Sequence, residues 1–250
     1  MKIHSFMVAV LSLGRACRPA FQARSFSEWK GLDIVSTPLD WTVTPFLSVV
    51  KMLDEDFDVN KVLSRDLAYI TPKSGSITCG YSGINFHHAL APGIVKKYLG
   101  SEGVADSIPP DALMSSPEWD KAVGRFSHTY ANFLHAAGSD QCLFLRWRKM
   151  RHANDFYSFG ESAERLMLAL TKLSKVNPGF RVLNVETKEI GENRDPIEDP
   201  ILDYLLHDSI CSCTLMERKG FNGDMTGNFR GDEYSWRICL EKVCSDFYGW

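Results

Sequence analysis

Cys17 is the residue of this chain best placed to do chemistry. The apolar run Met7 to Leu13 (MVAVLSL) stops at Gly14, and Cys17 stands where the next helical pattern begins. A thiol at a helix start sits among unpaired backbone N–H groups and partial positive charge, which favour thiolate. The same N–H groups can hold the oxyanion of a tetrahedral intermediate. Arg15 and Arg18 add to that bias if their side chains turn inward. Position alone also admits a small buried residue, as free cysteines often are. A second chemical cluster is Arg146, Arg148, Lys149 and Arg151, with Trp147 among them, just past a predicted strand end. It reads either as a solvated loop or as an anion site, since guanidinium forks suit phosphate and carboxylate.

The elements that would position these residues alternate. Strands are expected at Met7–Leu13, Leu67–Ile70, Ile77–Cys79, Ile84–Phe86, Gln141–Arg146, Phe180–Val185 and Ser209–Met216. Helices are expected at Cys17–Ser27, from Thr44-Pro45 through Met52, from a start formed by Ser115, Pro117 and Glu118 to Gly138, at Glu161–Val176, and near Asp232–Cys244. Asp199–His207 reads as a short helix, and Gly100–Pro117 as a loop. The alternation predicts an α/β layered single domain over residues 1–250 with a mostly parallel sheet, whose central strands include Met7–Leu13, Gln141–Arg146 and Phe180–Val185. In such a sheet, ligands bind outside the carboxyl ends of the strands, where Cys17 and the basic loop would both lie.

Seven cysteines in 250 residues, scattered at 17, 79, 142, 211, 213, 239 and 244, suggest free thiols in a reducing compartment. Cys211 and Cys213 alternate within one strand and so face one side. With Cys239 and Cys244 they could bind zinc if they converged, but no Cys-x-x-Cys knuckle is present and scattered core thiols are the expectation. No metal site is predicted. The net charge of −3 gives no support to nucleic-acid binding. No apolar run reaches the roughly 18–20 residues that cross a bilayer. The expected location is cytoplasmic. The alternative is secretion through a short N-terminal signal in residues 1–13.

The segment Ser12-Leu13-Gly14-Arg15-Ala16-Cys17-Arg18-Pro19-Ala20 resembles the Ser-Leu-Gly-x-x-Cys-x-x-Ala start of a bacterial family of papain-like cysteine peptidases. Further along, Pro38-Leu39-Asp40-Trp41 with Thr44-Pro45, Phe86-His87-His88-Ala89, Arg125-Phe126, Leu143-Phe144-Leu145-Arg146 and Gly231-Asp232 with Trp236 are similar to later blocks of that family. The resemblance implies a papain-like α+β fold as an alternative to the layered α/β domain. It implies Cys17 as nucleophile, His88 as base and Asp40 as a third catalytic group, and Gly14, Arg18, Trp41, His87 and Arg146 around the substrate. Asp40 equally suits a cap for a turn or for the next helix. Ala89 replaces the aspartate usual after the family histidine.

The implied activity is that of a cysteine hydrolase, a peptidase or amidase, acting on a small-molecule or peptide substrate without a cofactor. The strand-Gly-x-x-Cys start is also similar to that of proteins encoded with bacterial surface-polysaccharide genes, some of which look like acyltransferases. That reading implies acyl-CoA as donor. A binding module that has kept the pocket and lost the chemistry is the third expectation, favoured by Ala89. Neither a nucleic acid nor a membrane is expected as a partner.

Overall fold

The structure is a computed structural model that describes residues 8–14, 17–40, 42, 44, 46–54, 68–71, 76–79, 82–86, 115–139, 141–149, 179–190, 197–218 and 231–249. Among the described residues, the main sheet has five strands: β1 (Val8–Ser12), β5 (Gln141–Lys149), β6 (Arg181–Ile190), β7 (Ile201–His207) and β8 (Ile210–Arg218), in the order β1-β5-β6-β8-β7. The pairs β1·β5, β5·β6 and β6·β8 are parallel, and β7 runs antiparallel to β8. The α/β expectation therefore holds, with a sheet that is mixed and mostly parallel. A smaller antiparallel sheet is formed by β2 (Ala68–Thr71), β3 (Ser76–Cys79) and β4 (Asn85–Phe86), in that order.

Parallel strands are covered on both faces, and the side chains sort accordingly. On one face, Val10, Leu143, Leu145, Leu183, Val185, Cys211, Cys213 and Leu215 form the main core with two helices, α1 (Cys17–Lys30) and α4 (Glu233–Tyr248). On the other face lies α3 (Pro117–Ala137). Its Phe133 meets Phe144 at a ring distance of 5.7 Å, and Phe144 in turn meets Phe180 at 5.9 Å. Ser116, rather than Ser115, caps α3, its hydroxyl accepting the Trp119 N–H. A shorter helix, α2 (Phe46–Asp54), lies against the turn between β3 and β4, where a Cβ on Gly83 would come within 3.0 Å of the Ser48 hydroxyl.

Two expectations are corrected. The segment 199–207 is not a helix, because Ile201–His207 is a strand. Its apolar residues have near-helical spacing, but a two-residue connection at Asp208-Ser209 folds it back on β8, with Asp208 at φ 43°. Aspartate tolerates that left-handed conformation and suits the tight hairpin. The second correction concerns β1, which is an edge strand of the described sheet, opposite β7, rather than a central one. It looks central from its sequence because Ala9, Val10, Leu11 and Leu13 are all buried between helical layers. The expected helix 161–176 lies outside the described residues. Among the described residues, no helix is long and apolar enough to cross a membrane.

Candidate active site at the carboxyl edge of the sheet

The apolar strand β1 delivers its last residues to the carboxyl edge, and the chain turns there because Gly14 takes φ +75°. A Cβ on Gly14 would stand 3.2 Å from the Thr44 Cβ and Oγ1 and 3.3 Å from the Leu39 Cβ, so the turn is closed by packing as well as by backbone angle. The Gly14 N–H donates to the Ser12 hydroxyl at 3.1 Å, and the Leu13 N–H donates to the Leu145 carbonyl at 2.8 Å. Cys17 then opens α1. It is half-buried, while the other six cysteines, all free, are buried. Pro19, in the first turn of α1, needs no N–H partner there.

Arg146 reaches this turn from β5. Its guanidinium donates to the Leu13 carbonyl at 2.9 Å and stands 3.5 Å from the Thr44 carbonyl, with 7% of the residue exposed. It therefore joins three segments of backbone beneath Gly14. The hydroxyls of Thr42 and Thr44 lie 2.7 Å apart, and Thr42 donates to the Leu39 carbonyl at 2.8 Å.

Asp40 lies in the same turn region and is buried. Its carboxylate accepts the Thr37 N–H at 3.1 Å, stands 2.9 Å from the Thr37 hydroxyl, and has the Arg24 guanidinium at 3.6 Å. Burial raises its pKa from 3.8 to about 6 against the pull of the Thr37 bonds and of Arg24. The Thr37 hydroxyl is also 3.0 Å from the Ser12 carbonyl and has only one proton for two acceptors. A protonated Asp40 removes that conflict by donating to Thr37, which then donates to Ser12.

The electrostatics of Cys17 run against the thiolate expected of a helix start. Burial pushes its thiol up, its own backbone N–H pulls it down, and the Asp40 carboxylate pushes it up again. Arg18 is committed elsewhere: it is 2% exposed, ion-paired with Glu217 at the end of β8, and lies 4.4 Å over the Trp147 ring. Burial lowers its pKa, against the opposing pull of Glu217.

Glu217 is the centre of a network that local sequence reasoning missed. It accepts the Trp236 indole N–H at 2.5 Å and lies 3.4 Å from the Asp232 N–H. Next to it, Arg218 grips Asp232 with two bonds of 2.6 and 2.8 Å, and Asp232 caps α4 by accepting the Tyr234 N–H at 3.2 Å. Burial pushes Asp232 up, but the Arg218 fork overrides it and holds the carboxyl below its ordinary range. Gly231 has φ +81°, and a Cβ there would collide with the Glu217 carboxylate and stand 3.0 Å from the Trp236 indole nitrogen. The Gly231-Asp232-Trp236 block thus acts on α1 through Glu217 and Arg18. The available signal was Glu217-Arg218, a charged pair ending a strand of otherwise regular alternation.

Among the residues expected around the site, the structure brings Gly14, Cys17, Asp40 and Arg146 to one end of β1. Arg18 shares that edge but turns toward β8. His87, His88 and Trp41 lie outside the described residues, as do Arg15, Ala16, Ala89 and Arg151. The thiols of Cys211, Cys213, Cys239 and Cys244 enter one core cluster, with Cys213 and Cys239 sulfurs 3.5 Å apart. Even so, no group of three metal-ligating side chains is found among the described residues. Comparison of the chain with family models, with curated proteins and with solved structures finds no match in any of the three.

Proposed function

We propose that this protein is a cysteine-dependent acyl-transfer enzyme with Cys17 as nucleophile. The observation that carries the reading is the placement of its single half-exposed thiol, at the first residue of α1 and beside the carboxyl ends of parallel strands. In the reaction, the Cys17 sulfur attacks an acyl carbonyl and its proton passes to a base, for which His88 is the candidate. The tetrahedral intermediate collapses to a thioester, and the leaving group departs with that proton. Water or an acceptor hydroxyl or amine then takes the acyl group. Hydrolase and transferase share all of these steps up to the acceptor. The similarity to papain-like peptidases supports a peptide or amide substrate, and the acyl-CoA reading rests on the second resemblance.

The experiment is trapping. Short incubation with peptide thioesters and acyl-CoA esters, followed by mass mapping, is expected to place an acyl group on Cys17. The acyl group should be lost in Cys17→Ser and should accumulate in His88→Ala once attack is forced at higher pH. Seven uniformly slow thiols and no adduct would refute the enzyme. The raised thiol of Cys17 favours one competing reading, a binding module at the same edge. It would show ligand-induced protection of Cys17 without turnover.

A further inference from the structure

A concave site lies in the helical layer, lined by residues of α1 and α4 and by none of Gly14, Cys17, Asp40 or Arg146. The helices α1 and α4 leave a cleft of about 350 Å³ between them, within the range of small-molecule sites. Phe26 and Leu240 form its floor, at 3% and 0% exposure. Trp29 and Tyr234 also line it, and Trp29 remains 45% exposed. Lys30, next to Trp29, lies 4.2 Å from its ring and pairs with Glu241 at 3.1 Å.

Two charged residues of α4, Glu233 and Arg237, also line the cleft. They are four apart on one helix and are therefore neighbours on its surface, about 5–6 Å between Cβ atoms. Such a pair commonly neutralises itself. Here the Arg237 guanidinium instead faces the rings of Trp29 at 5.1 Å and Tyr234 at 5.6 Å. Among the described residues, Glu233 makes no ion pair. A guanidinium held near ring faces by cation–π attraction still has N–H donors for a carboxylate. The cleft therefore offers a cation, an anion about one helical turn away, and an apolar aromatic floor between two rings.

We propose that this cleft binds a free α-amino acid with an apolar or aromatic side chain. Its carboxylate meets Arg237, its ammonium meets Glu233, and its side chain lies on Phe26 and Leu240 between Trp29 and Tyr234. An anion alone would face Glu233 unbalanced, and a cation alone would face Arg237. The zwitterion satisfies both, and the floor selects an uncharged side chain. The site is independent of Cys17 chemistry.

The test is calorimetric titration of the full chain with L-phenylalanine and with two analogues, phenethylamine, which lacks the carboxylate, and 3-phenylpropionate, which lacks the ammonium. Phenylalanine is expected to bind saturably, with each analogue at least about ten-fold weaker. Arg237→Gln should bring phenylalanine to the level of phenethylamine, and Glu233→Gln to that of 3-phenylpropionate, with unchanged melting temperatures. Trp29→Ala should weaken all three ligands, and Cys17→Ser should weaken none. No saturable binding of phenylalanine at about 10 mM, or analogues that bind as tightly as it does, would overturn the proposal.

Discussion

Asp40 holds its proton to a higher pH in the folded chain than it would in an unfolded one, and this fixes the sign of a stability change. Its pKa is about 6 when folded against an ordinary 3.8. The protonated acid therefore favours the fold, fully so below about pH 4, and that advantage is lost as pH rises through 6. Asp40→Asn removes the penalty of the buried charge. Its stability relative to the parent should be nearly unchanged at pH 4 and greater by on the order of 3 kcal/mol above pH 7, as read from urea midpoints. The same substitution removes a negative charge that raises the Cys17 thiol, so Asp40→Asn should also speed iodoacetamide labelling of Cys17 at neutral pH. A slower rate would show that Asp40 supports the thiolate rather than opposing it. Gly14 gives a further expectation at this scale. Gly14→Ala adds a left-handed penalty of about 1 kcal/mol to a Cβ pressed against Thr44 and Leu39, and should lower both stability and Cys17 labelling.

Between elements, buried charge holds α1 and α4 to β8. Arg18, Glu217, Arg218 and Asp232 are all at most 4% exposed, two cations against two anions. Removing one member of such a pair leaves its partner uncompensated, whereas removing both is often nearly neutral. Glu217→Gln should therefore cost about 3–5 kcal/mol, and Arg18→Met combined with Glu217→Gln should recover most of that loss in chemical denaturation. Equal losses in the single and double variants would show that packing, not charge, holds the joint. Much of the element level was legible in the chain. The apolar run before Gly14, Pro19 in a first helical turn and the cap before Pro117 are local signals, and β1, α1 and α3 followed from them. β7 was misread because Ile201, Leu205 and Leu206 carry helical spacing, while the strand state comes from its partner β8. Glu217 was missed because its partner Arg18 is 199 residues away, and a charged strand end reads locally as solvated.

At the scale of the molecule, the layered α/β architecture was legible from alternating elements, but the outer position of β1 was not. Strand order depends on pairings such as Leu11 with Phe144, which no local pattern encodes. Burial makes a whole-molecule expectation about thiols: six of the seven cysteines are enclosed in the folded chain. Under native conditions one equivalent of a thiol reagent should react first, at Cys17, with six more released in a single phase on unfolding. Several fast native thiols would contradict the burial of the set. The Arg18–Glu217 pair has one further consequence, which concerns the order of synthesis. During translation, β1 and α1 emerge long before β5, and Arg18 waits for a partner made 199 residues later. Cys17 therefore leaves the ribosome on a helix whose first turn lacks its anchor. A chain arrested at residue 200 should leave Cys17 as reactive as an unfolded thiol, and only extension through Gly231, Asp232 and Trp236 should bring it to its native rate. The timing of the site would then be set by segments made some two hundred residues after it.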